Sequence, residues 1–141
     1  MNKPKHCVYC GDWYQCRDHI IPVSYAQTYR NYREKDTAPC CNLCNNLAGD
    51  SAHFTIQSKA RYLHERYNKK FKKVLRLPVW TPSELKELDY GLRAYVVQRQ
   101  HLKALIKLKI GNLELVMHGL DPVVLNKFKS HEEALKAAQS L

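Results

Sequence analysis

Arg17-Asp18-His19-Ile20-Ile21-Pro22 sets an acid and an imidazole side by side in a short apolar run that a proline closes. Two cysteine pairs of equal spacing flank it, Cys7-x2-Cys10 and Cys41-x2-Cys44, and Asn45 follows the last cysteine directly. Two such pairs in a short chain are what a tetrahedral structural zinc asks for: each grips from a tight knuckle, and the chain between them is pinned. Four thiolates leave no open coordination position, so such a zinc folds the chain and does no chemistry. Cys40 adjoins Cys41 and His6 adjoins Cys7; both compete for a place, although only Cys41 keeps the two-residue gap to Cys44. Cys16 reads as a buried thiol. What the zinc gathers is an acid, an imidazole and an amide, a set able to bind a hard cation and deprotonate a water.

Outward from this centre, Gly11 is placed to close the first knuckle through a left-handed turn. A strand is expected over residues 16–21, then a polar loop over 24–38 carrying Tyr25, Tyr29 and Tyr32. Pro39 marks entry to the second knuckle, and a short helix that begins near residues 42–45 stops at Gly49. From residue 58 the period becomes 3.6: Ala60, Leu63, Tyr67, Phe71 and Val74 make one apolar stripe on a helix reaching about residue 75. Thr81-Pro82-Ser83-Glu84 has the form of a capping box with proline at the first helical position. The helix it opens is expected to carry Leu85, Leu88, Leu92 and Tyr95 on one face, ending before Gly91 or passing through it. Residues 96–110 read as helix up to Gly111, and the leucines between 85 and 116 read as core. Asp121-Pro122 and Ser130-x-x-Glu133 look like two further helix starts. The expected fold is α+β, mostly α: a zinc-bound finger over residues 1–50 and a basic helical extension over 51–141.

The 141 residues carry a net charge of +10, with a sequence pI near 9.4, which suits a polyanionic partner, nucleic acid first. Much of that charge is local. Lys59, Arg61, Arg66, Lys69, Lys70, Lys72, Lys73 and Arg76 face a single acid, Glu65, between residues 51 and 80, a balance of +7. A solvated helix face is usually mixed with glutamate for pairing. This one is nearly unmixed and reads as a phosphate-binding face. No apolar run approaches the roughly 18 residues of a membrane span. With no export signal ahead of the cysteines, the pairs read as metal ligands of a reducing compartment, and a cytoplasmic location is expected.

Cys-x2-Cys, then Asp-His-Ile-x-Pro, then Cys-x2-Cys-Asn resembles the HNH (ββα-metal, His-Me finger) endonucleases of the zinc-bound type, which include phage and Holliday-junction resolving enzymes. The resemblance spans residues 7–49. It implies a ββα-metal finger, phosphodiester hydrolysis on DNA, duplex or branched, and a bacterial or phage setting. It also implies that His19 is the general base, and that Asp18 and Asn45 share a catalytic divalent cation, Mg2+ or Mn2+. Two features depart from the pattern. The middle asparagine has no secure equivalent: Asn31 is the candidate, and Asp36 lies nearer the place expected of a shorter loop. Leu47-Ala48-Gly49 also stands where a lysine is familiar. The long loop, with its tyrosines, Arg30 and Arg33, could contact substrate.

Two other readings compete. In a non-catalytic zinc-knuckle nucleic-acid-binding protein, Asp18, His19 and Asn45 would be capping and hydrogen-bonding residues. In a protein-interaction module, the leucine-bearing helices would form a homodimer. One active site per chain would nick DNA unless the protein dimerises.

Overall fold

The computed structural model describes residues 6–20, 37–51 and 53–125, together with Glu133 and Lys136. Its first regular element, β1 (Cys16–His19), pairs antiparallel with β2 (Thr37–Cys40), and the register sets Cys16 opposite Cys40 and His19 opposite Thr37. Pro39 lies inside β2, which a two-stranded ribbon tolerates because each strand has an outer edge. The Pro39 carbonyl takes the N–H of Val8 at 3.1 Å, tying the first knuckle to the sheet.

Helix α1 (Asn42–Ala48) follows β2 at once. Its N-cap is Cys41, whose sulfur accepts the Cys44 N–H at 3.3 Å, so the second knuckle and the helix start are one structure. Gly49, at φ 53°, ends it as expected. Helix α2 (Ile56–Lys70) begins two residues ahead of the expected start, because the Thr55 hydroxyl caps it by accepting the Ser58 N–H at 3.0 Å. The single helix expected up to residue 75 is instead broken at Phe71 and continued by α3 (Lys72–Leu75). The expected stripe is real: Ala60, Leu63, Tyr67 and Val74 are buried, and Phe71 packs against them.

Thr81 caps α4 (Pro82–Lys86), its hydroxyl accepting the Glu84 N–H and donating to the Glu84 carboxylate. That helix is shorter than expected. The Asp89 side chain accepts the Leu92 N–H at 2.9 Å and starts a new helix, α5 (Tyr90–Met117), while the Arg93 guanidinium collects the carbonyls of Leu85, Lys86 and Leu88. The 28 residues of α5 pass through both Gly91 and Gly111 and beyond the expected stop. Its leucines divide: Leu108 and Leu113 are buried, while Leu92 is exposed beside Tyr90, Tyr95 and Val97. Asp121-Pro122 opens no helix over 121–124, where the backbone is already committed elsewhere. The Val123 N–H goes to the Asn112 side chain and the Leu125 N–H to the Gly11 carbonyl. The helix start at Ser130 lies outside the described residues.

The result is a small, mostly helical α+β structure with a two-stranded sheet. One buried cluster joins the cysteines and Tyr9 to Leu47 and Ala48 of α1, to Ala60, Leu63 and Tyr67 of α2, and to Leu113 and Val116 of α5. The knuckles therefore stand at the centre of the core. Among the described residues no helix is long and apolar enough to cross a membrane.

Candidate metal centre and the Asp18–His19 site

Cys7, Cys10, Cys41 and Cys44 converge with their sulfurs all within 4.8 Å of one another. The Cys10 and Cys41 sulfurs stand 3.6 Å apart, far outside disulfide bonding, and all four thiols are free. Sulfurs at the corners of a tetrahedron with Zn–S bonds of about 2.3 Å lie about 3.8 Å apart, so the cluster fits a zinc ion held by these four residues. Cys40 is wholly buried but points its thiol at the Cys41 carbonyl, and it stands outside the converging four. Cys16, expected to be buried, is only partly so, and its thiol donates to the Cys40 carbonyl. The neighbouring thiols, Cys10 first, pull the Cys7 pKa down, whereas burial pushes the Cys44 thiol up. A cation among them removes that conflict by taking all four as thiolates.

Three groups outside the four sulfurs hold the knuckles in place. The Tyr67 phenol lies 3.1 Å from the Cys44 sulfur, and burial followed by the charge of Cys44 keeps it protonated, hence a donor to a ligating thiolate. Asn112, 1% exposed on α5, gives its amide N–H to the carbonyls of Cys10 and Val123 and accepts the Val123 N–H. Gly11, at φ 78°, closes the first knuckle as expected, and a Cβ there would collide with the Val123 carbonyl. Lys109 adds an ion pair to Asp12 at 2.9 Å; burial alone would lower its pKa, but the charges of Cys10 and Asp12 raise it.

At the far end of β1, Asp18 is buried, and one carboxylate oxygen takes two partners. The Tyr9 hydroxyl donates to it at 2.6 Å, and the Lys59 ammonium lies 2.7 Å away. Lys59 also donates to the His19 carbonyl at 3.1 Å. Burial and then the Asp18 charge push the Tyr9 phenol up, so it stays a donor. The charge pattern puts Lys59 on the solvent face with the other basic residues, and the structure corrects this. Lys59 is 2% exposed, because α2 turns this position towards the sheet, where Asp18 compensates its charge. Arg61, Arg66, Lys69, Lys70, Lys72, Lys73 and Arg76 are all exposed, as expected.

His19 is partly exposed at the end of β1, and Asn45 is exposed on α1, a helix that packs against β1. Asn31, with Asp36, Arg30 and Arg33, lies outside the described residues. The Lys59 ammonium already sits against Asp18 Oδ2, where its charge would repel a divalent cation. His53, which no sequence motif singles out, belongs to this neighbourhood. Burial, then the charge of Lys59, lowers its pKa, Asp18 opposes that, and its Nε2 is buried without a partner among the described residues. No local pattern marks Tyr9, His53 or Asn112, and none pairs Lys59 with Asp18; Lys59 and Asn112 act on residues distant in the chain. Comparison with protein-family models, with curated proteins and with solved structures gives no match.

Proposed function

We propose that this chain is a DNA endonuclease of the HNH kind, a zinc-bound ββα-metal finger with His19 as its general base. The observation that carries this reading is the order β1–β2–α1 closed on four convergent cysteines, with Asp18-His19 at the end of β1 and Asn45 on α1. The zinc would be held by Cys7, Cys10, Cys41 and Cys44 and would supply cohesion only.

In the proposed reaction a neutral His19 imidazole takes the proton of a water whose oxygen attacks the phosphorus, and the bond to the 3′-oxygen breaks. The Lys59 hydrogen bond to the His19 carbonyl fixes the peptide that carries this base. The exposed cations from Arg61 to Arg76 on α2 and α3 hold the flanking phosphates. A Mg2+ or Mn2+ ion, where bound, supplies charge stabilisation at the phosphate.

The Asp18–Lys59 pair also favours a second reading, a zinc-knuckle nucleic-acid-binding protein without catalysis, in which Asp18 is a structural anion. The two separate in a nicking assay on supercoiled plasmid and on a four-way junction, with zinc-loaded wild type beside His19→Ala and with Mg2+ or Mn2+ added or withheld. Cutting by wild type that His19→Ala loses while still retarding DNA supports the endonuclease. Retardation without cutting of either substrate by either protein supports the binding module.

A further inference from the structure

We infer that the Lys59 ammonium is the resident cation of Asp18, holding the place beside its carboxylate that a divalent ion would otherwise take and positioning the His19 peptide. Three observations carry this. Asp18 and Lys59 are 5% and 2% exposed, so neither reaches for a partner in solvent. The ammonium spans two atoms at once, the Asp18 carboxylate at 2.7 Å and the His19 carbonyl at 3.1 Å. The backbone behind it does not give, since Ala60 and Leu63 in the same turn of α2 are wholly buried in the core. Swinging Lys59 away would leave Asp18, among the described residues, with the Tyr9 hydroxyl alone, an ionised carboxylate out of water beside a single neutral donor.

The arrangement makes Asp18 a positioning residue. Its charge holds Lys59, and Lys59 holds the peptide oxygen of the residue proposed as base. The consequence for catalysis rests on the endonuclease reading, whereas the occupancy of Asp18 does not. One unit charge a few ångströms from a dication shifts affinity by more than about tenfold even in a water-like dielectric. Neutralising Lys59 therefore opens a cation site that the wild type keeps closed.

The test titrates Mn2+ into the zinc-loaded full chain and reads two signals, paramagnetic broadening of the β1 amides and the melting temperature. Wild type is expected to show no saturable broadening at Cys16–His19 and no metal-dependent stabilisation. Lys59→Met is expected to melt lower, to broaden at His19 with Mn2+ affinity raised more than about tenfold, and to recover stability as the metal binds. Adding Asp18→Asn to Lys59→Met should abolish both responses. Saturable broadening in wild type that Asp18→Asn removes would overturn the inference, as would a folded Lys59→Met that ignores Mn2+. Should Lys59→Met fail to fold with zinc, Lys59→Gln, which keeps a donor for the His19 carbonyl, replaces it under the same criteria. A wild type that neither cuts DNA nor binds Mn2+ at β1 sinks the endonuclease reading and leaves this one standing.

Discussion

The Lys59 ammonium lies 2.7 Å from the Asp18 carboxylate with both side chains almost wholly out of water. The pair joins α2 to β1 and so fixes the sheet against the helix that carries the basic face. Buried pairs of this kind add little over an apolar replacement, but they are costly to break from one side. That asymmetry makes the pair a sharp experimental handle.

Asp18→Asn and Lys59→Met should each destabilise the zinc-loaded protein by about 3–5 kcal/mol, because each strands one buried charge. The double variant strands none and should cost clearly less than the sum. Urea unfolding of the four proteins measures the coupling. Additive losses would mean that the two charges do not act as a pair.

Cys40 and Cys41 are neighbours with different expected fates. Cys41→Ser should lose the bound zinc, whereas Cys40→Ser should retain it, since only the Cys41 sulfur converges with Cys7, Cys10 and Cys44. Metal analysis after dialysis distinguishes them. Chelation of the wild type should abolish its cooperative thermal transition. Structural zinc contributes about 10–16 kcal/mol in small domains, comparable to or above a whole domain's typical stability.

Asn112→Ala removes three hydrogen bonds from a buried position and leaves the Cys10 and Val123 carbonyls and the Val123 N–H without this partner. A buried group left unpaired costs about 1–3 kcal/mol, so a loss of at least about 2 kcal/mol is expected. Amide exchange at Val123 should quicken in the variant. Unchanged exchange there would show that the segment is held by other interactions.

Charge on α2 and α3 should be readable in salt dependence. Replacing Lys69, Lys70, Lys72 and Lys73 by alanine should flatten the log–log salt slope of DNA binding by about 0.9 for each phosphate that is no longer neutralised. Lys59→Met removes a single charge, from a buried position, and should leave the slope unaltered. A flattening by about 0.9 in Lys59→Met would place Lys59 at the phosphate backbone.

Much of the architecture is legible along the chain. The two Cys-x2-Cys pairs predict the four converging sulfurs, and Gly11 and Gly49 predict the turns that close the first knuckle and end α1. The stripe from Ala60 to Val74 and the Thr81 cap are equally plain. The break at Phe71 and the new start at Asp89 are not. An unbroken apolar period over 85–95 hides the fact that Asp89 caps the helix beginning after it.

By itself the sequence determined what depends on covalent neighbours: ligand spacing within each knuckle, the buried stripe of α2, the helix caps and the excess of positive charge. These are short-range properties, set by residues one to four positions apart. Only the tertiary structure decided that Lys59 turns inward while Lys69 and Lys70 stay in water, and that Asn112 braces a knuckle at the far end of the chain. A lysine is buried only where a distant carboxylate offsets its desolvation. Pattern along one helix carries no record of that carboxylate; the fold that brings Asp18 to Lys59 supplies it.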